Sequence, residues 1–209
     1  MLPPAKGPFE LVVWENACYL LPDERRAEVF ESLRSKVGLT AKAIAAADSG
    51  LLLELAKRGG MRPETRVFRW REIARITLNQ FDGDLDRILK RPYKEAARAL
   101  KQFPTIGDPG AQKILLMCGV AEGLPLESNG LRVLTRIGYG RVQRQYGSTY
   151  SSVQEAIEPE LPTQPKALLA AHVLLREHGK TLCKVSSPVC QSCPVRETCP
   201  SSLSACPPR

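Results

Sequence analysis

The sequence predicts an all-α protein of two helical domains, and three observations carry the all-α part of that prediction. Apolar residues recur at three- and four-residue intervals along most of the chain. No run alternates with period two for long enough to make a strand. Pro, Ser, Thr or Asp stands repeatedly where a periodic segment begins. In order, Pro8 sits in the first turn of a helix read over 8–21, and Asp23 or Glu24 starts a second that carries Ala27, Val29, Phe30 and Leu33 on one face. Thr40 and Asp48 are the N-caps of two short helices, the second closed by Gly59 and Gly60. Residues 63–81 form a long amphipathic helix with Val67, Trp70, Ile73, Ala74 and Leu78 on its inner stripe. Further helices fit 84–90, 92–103, 109–119, 128–138, 151–158 and 165–178.

A chain of 209 residues that is 43% hydrophobic has apolar surface for one or two compact domains. Its longest apolar stretch, 167–175, is interrupted by His172 and is too short to cross a bilayer, so no membrane partner is expected. Thirty Lys and Arg against 22 Asp and Glu give a formal charge of +8, which favours a polyanionic partner without naming one. The first residues contain no apolar signal core, so the expected compartment is a reducing cytoplasm.

Seven cysteines in a chain of this length are too few and too odd in number to be a disulfide scaffold. Four of them, Cys183, Cys190, Cys193 and Cys199, fall in one loop near the C-terminus, with six, two and five residues between them. Under reducing conditions such a set is a metal site, because soft thiolates hold zinc or iron–sulfur clusters. Both accept four thiolates, but only Cys190 and Cys193 make a short knuckle, which suits a cubane better than a zinc ribbon. Cys18 and Cys118 lie in apolar helices and read as small core residues; Cys206, in the Pro-rich tail, has no assigned role.

Three further segments invite a functional reading. In 99–116, Pro104 stops one helix and Gly107 lets another begin, which presents backbone N–H groups to a phosphate. A plain αα-hairpin has the same pattern. Glu127 opens the helix 128–138, where the N-terminal dipole favours a carboxylate and where it also reads as a simple cap. Glu15 sits between Trp14 and Ala17, an apolar setting that disfavours its ionised form, or else at the polar edge of an amphipathic helix.

In this order, these segments resemble the endonuclease III and adenine glycosylase branch of the helix-hairpin-helix DNA glycosylases, from Pro8 to Cys199. The cysteine spacing resembles that branch's [4Fe-4S] loop. Phe103-Pro-Thr-Ile-Gly-x-x-x-Ala111 is similar to its hairpin, commonly Leu-Pro-Gly-Val-Gly-x-x-x-Ala, with Thr105 in place of the first hairpin glycine. Glu127-Ser-Asn-Gly-Leu-Arg-Val-Leu-Thr-Arg136 is similar to Asp-Gly-Asn-Val-x-Arg-Val-Leu-x-Arg, with Glu127 on the catalytic aspartate and Asn129 beside it. The resemblance implies a six-helix barrel over 23–123, an iron–sulfur domain built from 1–22 and 124–209, and a DNA-binding cleft between them. It puts Glu15 at the acid that protonates the leaving base. It puts Thr105, Ile106, Gly107 and Lys113 at the DNA phosphates, Tyr19 and the wedge-aligned Leu20 at the vacated base stack, and Lys184 on a basic lobe beside the cluster. Pro109 occupies the position of the lysine with which bifunctional members form a Schiff base, so strong lyase activity is not expected. Adenine glycosylases that read 8-oxoguanine have an additional C-terminal domain, which this resemblance does not include. The expected protein is a monomeric glycosylase whose partner is double-stranded DNA carrying a damaged or mismatched base. A catalytically silent DNA-binding protein on the same scaffold and an unrelated zinc-binding module are the alternatives.

Overall fold

Trp70, Ile73, Ala74 and Thr77 have no solvent exposure, so they fix one stripe of a long helix at the centre of the N-terminal half. That helix, α5 (Pro63–Phe81), is about 28 Å long at 1.5 Å per residue. It ends where Asp82 and Gly83 turn left-handed, φ 52° and 80°, and Gly83 N–H reaches back to the Thr77 carbonyl. The structure is a computed structural model that describes residues 2–205, so Cys206 lies outside the described residues. It contains α-helices and short 3-10 turns, with no strand among the described residues. No described helix is long and apolar enough to cross a membrane.

The described residues fall into two compact units that divide after Val120. The first comprises α1 (Gly7–Glu15), α2 (Asp23–Lys36), α3 (Ala41–Ala46), α4 (Ser49–Lys57), α5, a 3-10 turn (Leu85–Lys90), α6 (Tyr93–Leu100) and α7 (Asp108–Met117). Thr40 and Asp48 cap α3 and α4 as the sequence indicates, accepting from Ala43 N–H and Leu51 N–H. Helices α3 and α4 lie against α5, and Phe30, Leu33, Ile44, Leu52, Leu55 and Ile114 complete the interior. Helix α1 belongs here too. It packs on α2, α5, the 3-10 turn and α7, with Trp14 edge-on to Phe30. The sequence reading grouped residues 1–22 with 124–209 and set the division at 123/124; by chain contacts the division falls after Val120 and α1 stays with the first unit. The apolar face of α1, Leu11 to Trp14, is spent on this core.

Helix α1 stops at Glu15, well short of the 8–21 that its apolar residues suggest. Asn16 is the cause. It is buried, and its Nδ2 donates to the carbonyls of Val12 and Pro104 at 3.0 Å each, while its Oδ1 accepts from the Thr105 hydroxyl at 3.1 Å. Beyond it, Ala17 and Cys18 remain buried in a non-helical segment that closes on Gly59, where a Cβ would stand 2.4 Å from the Ala17 carbonyl. Replacing Asn16 with alanine leaves the Pro104 carbonyl and the Thr105 hydroxyl without this partner. The expected cost is about 2–3 kcal/mol, measured by chemical denaturation.

The second unit comprises α8 (Ser128–Ile137), α9 (Tyr146–Ile157), α10 (Pro165–Thr181) and α11 (Pro200–Ala205), with a 3-10 turn at Glu158–Glu160 and two more inside the cysteine loop. Helices α8 and α10 pack closely because Gly179 brings the two backbones together; a Cβ there would lie 2.7–2.9 Å from Asn129. Helix α9 starts five residues before the 151–158 read from sequence. Gly147 and Ser148 are poor helix formers, and the first turn holds because the preceding segment is braced on it: Gln143 N–H donates to Thr149 Oγ1 and Arg141 N–H to Ser152 Oγ.

Candidate active site and cysteine cavity

In the first unit, Asn16 ties the end of α1 to the turn between α6 and α7. Thr105 adopts φ 64°, a left-handed conformation that costs a β-branched residue energy and explains why glycine suits this turn. Thr105 and Gly107 are exposed at the tip, but Ile106 is 5% exposed and points into the core. The sequence reading placed Ile106 in the turn that meets the DNA phosphates; its side chain is buried and anchors that turn. Gly107 caps α7, whose second residue, Pro109, has no N–H to offer a phosphate. Asp108 stands in the same first turn, 2.7 Å from Lys101.

Glu15 and Lys113 form an ion pair at 2.7 Å, each side chain about one-fifth exposed. This changes two expectations. Glu15 has an ammonium beside it rather than a wholly apolar setting, and Lys113 faces α1 rather than standing ready for phosphate. Tyr19 and Leu20 project from the segment after α1, Leu20 78% exposed at φ 54°. The segment is held by Tyr19 N–H on the Gly59 carbonyl, and the 56–61 chain is held in turn by the buried Arg66, which donates to the carbonyls of Ala56, Gly59 and Met61. Met61, also exposed, was not singled out from sequence, where it has no periodic or motif signal.

In the second unit, Glu127 is the N-cap of α8. Its Oε1 accepts from Gly130 N–H at 2.6 Å and its Oε2 from Asn129 Nδ2 at 2.7 Å. Asn129 Oδ1 accepts from Arg132 Nη2 at 2.7 Å, and Arg132 also donates to the carbonyls of Gly179 and Cys183. One turn later, Arg136 donates to the carbonyls of Lys184 and Val185 and lies 3.4 Å from Cys183 Sγ. The network fixes the carboxylate and the start of the cysteine loop to the same helix. Arg132 and Arg136 carry no assigned role from sequence; the readable signal is their i, i+4 spacing, which places both guanidiniums on one face.

Cys183, Cys190, Cys193 and Cys199 line one cavity of about 150 Å³ together with His178, Leu182, Val195 and Ile137. Among the described residues, no three His, Cys, Asp or Glu side chains converge as donors to a single ion. Four soft donors spread around an apolar cavity suit a cluster, in which each thiolate binds a different iron. Its surroundings also fit: the Arg136 guanidinium and His178 Nε2, 3.6 Å from Cys193 Sγ, present positive or polar edges to the sulfurs. Lys184 is exposed beside the loop. Cys18 is buried in the core and Cys118 is partly buried against it; burial pushes both up in pKa, Cys118 to about 11.

No protein-family model matches the chain. It is 25% identical over 180 residues to endonuclease III of Sulfolobus acidocaldarius, covering 85% of this chain and 74% of that protein. It is 26% identical over 211 residues to the chloroplastic endonuclease III homolog 2 of Arabidopsis thaliana, covering 99% of this chain and about half of that protein (51%). Among solved structures, the fold is similar to that of a non-covalent endonuclease III–DNA complex, with a TM-score of 0.76 and 18% identity over 96% of this chain and 86% of the other.

Proposed function

We propose that the chain, similar in sequence to endonuclease III and sharing its fold, is a member of the endonuclease III branch of the helix-hairpin-helix DNA glycosylases and excises a damaged or mismatched base from double-stranded DNA by hydrolysing the N-glycosidic bond, as a monomer in a reducing compartment such as the cytoplasm. The observation that carries the reading is Glu127: a carboxylate at a helix N-terminus, held by Gly130 N–H and Asn129. A fixed anion in that place stabilises the positive charge that develops on the sugar as the base departs, and it orients the attacking water. Asn129 keeps one oxygen in register. Extruding the base costs a few kcal/mol, less for a base already mispaired, which is one source of selectivity.

Cys183, Cys190, Cys193 and Cys199 hold a [4Fe-4S] cluster in this reading, and the cluster supplies a rigid anchor for the loop rather than chemistry on the base. Thr105 and Gly107 offer backbone to a phosphate, Tyr19 and Leu20 meet the opened base stack, and Lys184 adds charge near the duplex. Glu15 is the candidate proton donor to the leaving base in this reading; it is ion-paired with Lys113 in the protein alone, so the role requires that a DNA phosphate draw the Lys113 ammonium away and that Glu15 first take a proton from solvent.

The enzyme is monofunctional. A Schiff base needs an unprotonated amine at the sugar, and Pro109 supplies none. Borohydride trapping on abasic DNA is therefore expected to give no efficient covalent adduct; an adduct formed in high yield and abolished by replacing any one lysine overturns this assignment. A second reading rests on a specific observation: both oxygens of Glu127 already accept hydrogen bonds, one from the Gly130 N–H that it caps and one from the Asn129 amide, which suits a silent DNA-binding protein on the glycosylase scaffold. Free-base release from a panel of lesion-bearing duplexes separates the two, since only the enzyme releases base.

A further inference from the structure

Tyr146 opens α9, and its ring is 53% exposed in a segment, 141–147, where every residue is exposed. The ring is nonetheless supported from behind. Its centroid lies 6.3 Å from that of Tyr150, which is buried, and the Tyr150 hydroxyl accepts from the N–H of Leu126, the neighbour of Glu127. Gln154 donates to the same hydroxyl at 3.2 Å. The chain before Tyr146 is equally fixed. Gly140, at φ 64°, passes so close to α9 that a Cβ would stand 2.7 Å from Val153 N, and the Arg141 and Gln143 N–H groups are bonded to Ser152 and Thr149. Arg141 and Arg144 lie on this braced segment, two cations within five residues of an exposed aromatic face.

From this arrangement we infer that Tyr146 is a base-stacking residue of the site centred on Glu127, with Arg141 and Arg144 drawing the phosphate backbone toward it. The inference rests on the glycosylase reading for the identity of the stacked group, a nucleobase extruded from duplex DNA. A planar ring with a rigid backing and one free face is what a sequence-tolerant stack requires, and each such stack contributes about 1–3 kcal/mol. The phenol is suited to the position. Partial burial and then the Glu127 charge raise its pKa above the usual tyrosine value, so the hydroxyl stays protonated and uncharged at neutral pH and adds no repulsion beside Glu127.

The test compares two duplexes, one fully paired and one carrying a mispaired 2-aminopurine, as the ratio of their dissociation constants, with 2-aminopurine fluorescence reporting whether the base is stacked in the complex. For Tyr146→Ala the ratio is expected to fall by about tenfold or more, as loss of roughly 1.4 kcal/mol of stacking requires, with affinity for the paired duplex unchanged. Tyr146→Phe and Tyr146→Trp keep the ring and are expected to stay within about threefold of the unsubstituted protein. A ratio unchanged in Tyr146→Ala overturns the inference, as does an equal loss of affinity for both duplexes, which marks a general surface contact. Free-base release is measured separately: a protein that releases no base yet shows the Tyr146-dependent ratio fails as a glycosylase and keeps Tyr146 as a stacking residue.

Discussion

Glu127→Gln is expected to lower single-turnover base release by about 10²–10³-fold, the loss that follows removal of one fixed electrostatic group from a charged transition state. Stability should change far less. Glutamine retains an oxygen that accepts from Gly130 N–H, so the cap on α8 survives. Its NH2 then faces the Asn129 amide, and Asn129 cannot rotate to present its oxygen because Arg132 already donates to it. One hydrogen bond is lost, worth about 1 kcal/mol. Glu127→Ala removes charge and cap together and should cost about 0.5–2 kcal/mol in denaturation as well as the activity. The pair of variants separates a catalytic carboxylate from a capping one. Base release at the unsubstituted rate in Glu127→Gln leaves Glu127 with capping alone and turns the reading toward the silent DNA-binding protein.

What the sequence made legible depended on whether the responsible interaction was local. The α5 boundaries, the caps at Thr40 and Asp48 and the start of α8 are set by residues within one turn, and they could be read directly. The end of α1 could not, because Asn16 finds its partners Pro104 and Thr105 far along the chain and nothing in the apolar 8–21 pattern marks the stop. Lys113 is a similar case. On its own helix it looks like a basic residue free to meet phosphate, and only the packing of α1 on α7 shows Glu15 opposite. At the candidate site, Glu127 and Asn129 were visible through the resemblance, whereas Arg132 and Arg136 bind backbone carbonyls, which carry no sequence signal.

Replacing Cys193 with alanine, or stripping the metal with a chelator after oxidation, is expected to destabilise the second unit selectively, so that it unfolds on heating well before the first. Residues 183–199 contain only two short 3-10 turns, and most of their side chains are at least partly exposed, so little apolar burial opposes the ordering cost of about 1–2 kcal/mol per residue. The restraints at its start are the arginine bonds to the carbonyls of residues 183–185, while its middle and end are tied to the helices through weak sulfur contacts, Cys193 Sγ with His178 Nε2 at 3.6 Å and Cys199 Sγ with the Arg136 carbonyl at 3.5 Å, besides local turn bonds. In the proposed cluster, thiolate–iron bonds at Cys183, Cys190, Cys193 and Cys199 would join both ends and the middle, and metal binding in small sites of this kind is itself folding free energy. The unit's remaining core, Leu124, Leu126, Leu131, Val133, Leu134, Tyr150, Val153, Ile157 and Leu168, is much smaller than that of the first unit, and α11 is reached only through the loop. The first unit has its own core around Trp70 and needs no metal. Anaerobically prepared protein should thus be brown with broad visible absorption, and Cys193→Ala should be colourless and melt in two separated transitions. A colourless, iron-free preparation that melts in one cooperative transition at the same temperature as the variant shows that the loop holds itself together without metal, and the cluster assignment is then lost.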